Sequence, residues 1–211
     1  MPSIIDRYYR LIRPFRFLYG WAKDARTRAQ CSARAEDWKR KGFQGAKLDI
    51  CGGRNPYKPG EYLNVDQVPF PQVDLAFDIT KTFPIPSNVI DEIVSFATLE
   101  HLHKEEGEHV LRECLRVLRP GGVMRVVTPD IEAIARLVLA DGNINVINQH
   151  LFGKFKSKET ELPDLHKWLL PAQGMMDLLE KIGFVHATRL HLDLPLHDPQ
   201  LNYLIRAEKP E

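Results

Sequence analysis

Two short apolar runs end in acids that could do chemistry. Lys47-Leu48-Asp49-Ile50-Cys51-Gly52-Gly53 closes on an acid and two glycines, and Asn64-Val65-Asp66 closes on a second acid. At the carboxyl ends of adjacent strands in an open α/β sheet, such residues face the crevice where ligands bind. Glycines there let a ligand approach the backbone, and an acid ending the second strand can hold a ribose diol. The pattern points to a nucleotide-like ligand. A nicotinamide dinucleotide is a poor match, because its turn needs Gly-x-Gly-x-x-Gly, which Cys51-Gly52-Gly53-Arg54-Asn55-Pro56 lacks.

Three histidines are candidates for proton transfer. His101 follows Glu100 just past an apolar run, and His150 and His166 flank a polar segment. Each could accept the proton of a substrate hydroxyl. Each also has a plainer reading: Glu100-His101 as a helix-start pair that packs and caps, His150 and His166 as solvated loop residues. Phe152 and Trp168 either wall a pocket or sit in the core. His103, His109, His186, His191 and His197 share no spacing, and a surface or structural role is expected for them.

These residues need a scaffold, and the chain alternates strands and helices after Lys41-Gly42, which implies a largely parallel sheet. Strands are expected over Ala46–Ile50, Tyr62–Asp66, Val73–Phe77, Asp91–Phe96 and Val123–Val127, with Phe184–Leu192 and Asn202–Ala207 as an antiparallel pair at the edge. Val110, Leu111, Cys114, Leu115 and Leu118 share one face of a helix over 105–118, which Arg119-Pro120-Gly121-Gly122 stops. Asp130 caps a helix to about Ala140, and Pro171 opens another through Ile182, closed by Gly183. Residues 141–169, with Lys154, Lys156, Lys158 and Lys167, read as an irregular polar lid or substrate segment.

The chain has 211 residues, 44% apolar and 27% charged, as in a soluble globular protein. Residues 1–41 hold 11 Lys/Arg and 4 Asp/Glu, so the remaining segment, with 18 basic and 24 acidic residues, is mildly acidic. That argues against broad nucleic-acid binding by the main domain. Cys31, Cys51 and Cys114 form no CxxC, which suits a reduced, cytoplasmic protein. No run is long and apolar enough to span a membrane, and Arg7, Arg10, Arg13 and Arg16 leave no signal-peptide core. The basic, aromatic 1–41 segment reads as an amphipathic helical extension that Pro14 should break or kink. It has three readings: contact with an anionic membrane surface at the inner face, a lid over the cofactor, or packing on the sheet or on a second subunit of a homodimer.

Leu48 to Gly53 resembles the first motif of class I S-adenosylmethionine-dependent methyltransferases, and Asn64-Val65-Asp66 the acidic end of their second strand. Asp74 to Asp78, Ser95 to Leu102 and Leu118 to Gly122 match the later motifs in order, so the resemblance is strong over about residues 45–130. It is greatest to short bacterial types associated with surface-polysaccharide biosynthesis. The resemblance implies a Rossmann-like, seven-stranded, mostly parallel α/β sheet with an antiparallel edge strand and helices on both faces, spanning 42–211. It also implies S-adenosyl-L-methionine as cofactor. Gly52 and Gly53 would admit its amino acid portion, Asp49 would shape the turn and suit a cationic ligand, and Asp66 would hold the ribose. Asp78, with Ile79, would meet the adenine. Ala97 and Thr98 would offer backbone contacts near the methionine portion.

Two features depart from the family. Cys51 replaces the usual first glycine, and only 12 residues separate Gly53 from Asp66, several of them proline-punctuated, so the usual helix there is short or missing. No metal is expected: some methyltransferases use one at Glu-x-x-Glu-His, and Ala97 stands where the first Glu would be. The expected activity is methyl transfer to a small-molecule or sugar hydroxyl. A non-catalytic cofactor-binding scaffold is the alternative.

Overall fold

A computed structural model describes residues 4–153, 164–195 and 197–211, with residues 4–19 described as backbone only. Lys154, Lys156 and Lys158 of the expected lid lie outside the described residues. The chain begins with helix α1 (Ile4–Arg40) and continues through strands β1 (Ala46–Ile50), β2 (Leu63–Asp66), β3 (Leu75–Ala76) and β4 (Ile90–Phe96). A 3-10 turn at Leu99–His101 leads to α2 (Lys104–Val117) and β5 (Leu118–Pro129). Helices α3 (Ile131–Leu139), α4 (Ile144–Phe152) and α5 (Ala172–Ile182) precede β6 (Val185–Leu190) and β7 (Asn202–Glu208).

The sheet has seven strands in the order β3-β2-β1-β4-β5-β7-β6. β1 to β5 pair in parallel, and β7 runs antiparallel to both β5 and β6. The expected Rossmann-like sheet with its antiparallel pair at one edge is therefore present. A row of apolar side chains crosses it through Leu48, Ile93, Met124 and Ala207, which pair in register and are fully buried. Val110, Leu111, Cys114 and Val117 of α2 and Met175, Leu178 and Leu179 of α5 complete this core.

The other side of the sheet departs from expectation. Strand residues alternate faces, so Lys47, Glu92, Arg125 and Arg206 share the opposite face. Lys47 pairs with Glu61 at 2.8 Å and lies 3.7 Å from Glu92, and Arg125 is ion-paired to Glu92. Helices on both faces were expected here, but the connections 51–62, 67–74 and 77–89 contain none. In the absence of crossover helices in these connections, this face combines a charged network with the buried side chains of Tyr62, Val94 and Val127. The proline-rich 77–89 connection is fixed by α2 instead: Glu113 accepts the Phe83 N–H at 2.7 Å, and Arg116 donates to the Phe83 and Ile85 carbonyls.

Three further expectations are corrected. The break expected at Pro14 is absent: α1 continues through it as one helix, although the ring removes one N–H bond and crowds the preceding turn. Its last turns are part of the body: Cys31 and Ala35 are buried and Trp38 packs on the core. β5 begins at Leu118, directly after α2, and not at Val123 as expected, so Arg119-Pro120-Gly121-Gly122 lies inside the strand, whose register against β4 shifts between Ile90 and Glu92. Gly122 is required there, for a Cβ would lie 2.8 Å from the Arg119 carbonyl. The segment 141–169 is not irregular throughout. Asn143 accepts the Asn145 N–H and starts α4, whose Ile147 joins Ala133, Ile134 and Leu201 in a small second core.

Candidate functional site

A cavity of ≈ 740 Å³ opens at the carboxyl ends of β1, β4 and β5, within the range of small-molecule sites. Asp49, Cys51 and Gly52 line it from β1, Phe96 and Ala97 from β4, and Tyr57 from the loop between β1 and β2. Glu100, His101, His150, His166 and His197 line it from the other side. The two candidate groups, the acid–glycine turn and the histidines, thus meet in one space.

Asp49 is the centre of the turn. It is 2% exposed, and its Oδ2 accepts the Tyr57 N–H at 2.7 Å, folding the 52–60 loop over it. Burial pushes its carboxyl up to about 6; the Tyr57 bond opposes this and the nearby Asp66 charge adds to it. Gly52 is needed for a reason beyond ligand access. A Cβ on it would collide with the Asp49 carboxylate and lie 2.8 Å from the Asn64 Oδ1. Asn64 is itself a strut, donating from Nδ2 to the Gly53 and Gln72 carbonyls at 2.9 and 3.0 Å.

Both central strands end in strained residues. Cys51 has φ 61 and Ala97 has φ 51, the left-handed region that favours glycine. The departure at Cys51 is thus a side chain held where glycine would be relaxed, and such strain is concentrated at functional sites. The Cys51 thiol is pushed up to about 12 by burial and by the Asp66 and Asp49 charges, which makes it a poor nucleophile. Ala97→Gly should leave stability unchanged or raise it by up to about 1 kcal/mol, since relief of strain offsets glycine's greater unfolded-state freedom. A fall in the urea midpoint would contradict this.

Other candidates sit beside the cavity. Asp66 ends β2 with its Oδ1 accepting the Val68 N–H at 2.8 Å, and the Gly53 position, at φ +54, opens towards its Oδ2. Thr98 is buried and donates to the Ile50 carbonyl at 3.1 Å, tying the ends of β4 and β1 together. Asp78 accepts both the Thr80 N–H and hydroxyl, at 2.9 and 2.7 Å, and these bonds hold its carboxyl below the usual range. Ile79 is in the core. Gly53, Asp66, Asp78, Ile79 and Thr98 are not among the residues lining the cavity.

The histidines are more ordered than loop residues. His101 and His166 meet edge to face with centroids 4.9 Å apart. The His166 Nδ1 lies 2.8 Å from the His150 carbonyl, the His101 Nδ1 3.4 Å from the Leu165 carbonyl, and the His150 Nδ1 2.8 Å from the Val146 carbonyl. Burial lowers the His101 and His166 pKa values, so these rings are neutral at physiological pH. His197, expected at the surface, lines the cavity against Phe96. Tyr57 meets Phe96 edge to face with centroids 5.1 Å apart, a role no spacing announced. Trp168 packs on the core, with its Nε1 donating to the Leu99 carbonyl, and Phe152 is exposed; neither lines the cavity.

Parts of the chain are similar to known proteins. Residues 61–126 match a family model described as a methyltransferase domain; the match starts after the Asp49–Gly53 turn. A protein of Mycolicibacterium smegmatis named "Probable S-adenosylmethionine-dependent methyltransferase" is 31% identical over 115 residues, 54% of this chain and 36% of that protein. A Mycobacterium tuberculosis protein with the same description is 30% identical over 121 residues, 57% of this chain and 39% of that protein. The match spans well under half the length of these relatives. Among solved structures, an S-adenosylmethionine-dependent methyltransferase of Methanosarcina mazei aligns with TM-score 0.52 at 15% identity, over 80% of this chain and 93% of that one. Human N-acetylserotonin methyltransferase, solved with S-adenosylmethionine, aligns with TM-score 0.52 at 15% identity, over 89% and 57%. At these identities the likeness shows the fold: the chain has the Rossmann-like fold of class I methyltransferases.

Proposed function

We propose that this chain is a class I S-adenosylmethionine-dependent methyltransferase that acts on a hydroxyl of a small molecule or sugar. The observation that carries the reading is the single cavity joining the Asp49–Gly52 turn to the histidine wall. The residues fit the cofactor. Asp49 has one hydrogen bond to its buried carboxylate and retains acceptor capacity for a cationic amino acid end. The Asp66 carboxylate, across the open Gly53 position, is the acceptor for the ribose hydroxyls. Asp78 keeps its turn through Oδ1, which accepts both Thr80 bonds, and Oδ2 is the oxygen left for the adenine amino group.

When bound, the cofactor supplies a methyl group already activated on a sulfonium. The chain's own task is alignment and exclusion of water. His101, His150 and His166 each point one ring nitrogen at a backbone carbonyl. A neutral ring donating from Nδ1 leaves Nε2 free to take the acceptor's proton. A glycan acceptor linked to surface polysaccharide follows only from the family resemblance.

Calorimetry with S-adenosylhomocysteine tests the cofactor assignment. Asp66→Ala should weaken binding about tenfold or more, the loss of a charge-assisted pair of hydrogen bonds; unchanged affinity would remove the ribose role. Methyl transfer to sugar nucleotides and lipid-linked glycans tests the reaction. Tight cofactor binding with no transfer to any acceptor would favour the scaffold. Membrane contact through 1–41 remains a separate proposal. No helix among the described residues is long and apolar enough to cross a membrane, while Trp21 on α1 is 67% exposed.

A further inference from the structure

Glu100 is an anomaly of the cavity wall. Its residue is 1% exposed and its Oε2 has no hydrogen-bond partner, a costly state for a carboxylate oxygen. Beside it are the imidazoles of His101 and His166. One ligand atom from each of Glu100, His101 and His166 lies within 4.8 Å of the other two. Nitrogen and oxygen ligands bound to one ion at 2.0–2.2 Å sit roughly 3.3–3.6 Å apart in tetrahedral geometry, so small side-chain rotations close the set.

The outer partners suit coordination as well. A ligating histidine commonly donates its second ring N–H to a carbonyl, which fixes the tautomer and orients the lone pair. His166 meets the His150 carbonyl at 2.8 Å through Nδ1, and His101 meets the Leu165 carbonyl at 3.4 Å. Both Nε2 atoms are thereby left as lone-pair donors. The cluster borders the cavity, so further coordination positions face the space where an acceptor would bind.

We propose that Glu100, His101 and His166 bind one divalent transition-metal ion. Two imidazoles and one carboxylate with open positions suit zinc, iron or manganese better than calcium or magnesium. The third ligand comes from 65 residues beyond His101, so the alanine at position 97 does not leave the set short. The ion compensates the orphaned Glu100 oxygen. With the ion bound, the Nε2 lone pairs of His101 and His166 are occupied and His150, outside the cluster, is the histidine left to accept a proton. The ion's use in polarising an acceptor hydroxyl rests on the proposed methyl transfer, whereas its binding does not.

The test uses full-length protein stripped with chelator. Zn²⁺ titrated by calorimetry should bind once per chain, and Co²⁺ should give a visible ligand-field spectrum. Glu100→Gln and His166→Ala should each weaken Zn²⁺ binding by more than about a hundredfold, since even outer partners are worth 10–100-fold. His197→Ala, in the same cavity but outside the cluster, should bind as the parent does. S-adenosylhomocysteine affinity measured on the same samples reports folding and the cofactor assignment separately. Zn²⁺ addition to the parent should also shift the Nε2 resonances of His101 and His166 and spare those of His197. A parent that binds no Zn²⁺ at micromolar concentration, or variants that bind it equally well, would overturn the site.

Discussion

Asp49→Asn should make the ligand-free protein more stable and its cofactor binding weaker. Burial raises the Asp49 carboxyl to about 6, so the folded state resists ionisation. The sign follows from linkage. Below the unfolded value, near 4, the acid is neutral in both states and exacts no penalty. As pH rises from about 4 to about 6 the unfolded chain ionises while the folded one still holds its proton, so stability falls across that window and levels off above it. A shift of this size corresponds to roughly 2–3 kcal/mol at pH 7 and above. Asparagine is isosteric, keeps an oxygen for the Tyr57 N–H and carries no charge. Urea unfolding of parent and variant should therefore show a small difference at pH 4, an advantage for the variant that grows between about pH 4 and 6, and a level advantage from about pH 7 upwards. S-adenosylhomocysteine affinity should fall over the same variant. A stability difference independent of pH would mean that the buried charge is not the cause. Such opposition of stability and binding is the expected signature of a group retained for function.

Arg34→Met should be the most destabilising of the single changes considered. Arg34 donates from Nε and Nη2 to the two oxygens of Asp74, at 2.8 and 2.9 Å, and the Asp74 side chain is fully buried. Asp74 also accepts the Asn64 N–H at 2.8 Å. Removing the guanidinium leaves a buried carboxylate without its countercharge, which costs about 3–5 kcal/mol where both partners are buried. Arg34 is 28% exposed, so about 2–4 kcal/mol is expected after allowing for solvent screening. The double variant Arg34→Met, Asp74→Leu should recover much of that loss, because the orphaned charge goes with it. Equal losses in single and double variants would show that the pair contributes packing alone. The same pair sets where α1 can be shortened. A cut at Gly42 removes Arg34, Ala35 and Trp38 from the body, whereas a cut before Thr27 keeps these contacts and the Arg28 donation to the Pro69 carbonyl.

Elements with strong local signals were legible in the sequence. β1 lies over Ala46–Ile50 as its apolar run implies, and α2 and α5 lie within a residue or so of their periodic and capping signals. The missing helix after Gly53 was also readable, since prolines occupy the interval. What escaped has long-range causes. α4 is short and stabilised by Leu201 from a distant strand entry. The charged sheet face depends on crossovers that are absent, and a pattern of apolar residues does not report an absence. Gly52 looked like a concession to a ligand, yet its contacts show the pressure of Asp49 and Asn64 from inside the protein. Glu100, His101 and His166 have no common spacing; only the fold brings residue 166 to residue 100. Asp78 also holds an Asx turn, its Oδ1 accepting from Thr80, and that local role was not announced by its place after the third strand.

The three cysteines carry a practical consequence. Cys31 and Cys114 are buried, and Cys51, which borders the cavity, has a thiol pushed up to about 12. Alkylating reagents act on thiolates, so at neutral pH the native molecule is chemically quiet towards them while the unfolded chain offers all three sulfurs. The protein therefore carries its own clock for opening. The rate at which label appears reads the fraction of time the sheet and α2 come apart, with no engineered probe. Cys51, responding to whatever fills the cavity beside it, distinguishes local loosening of the site from loss of the whole fold.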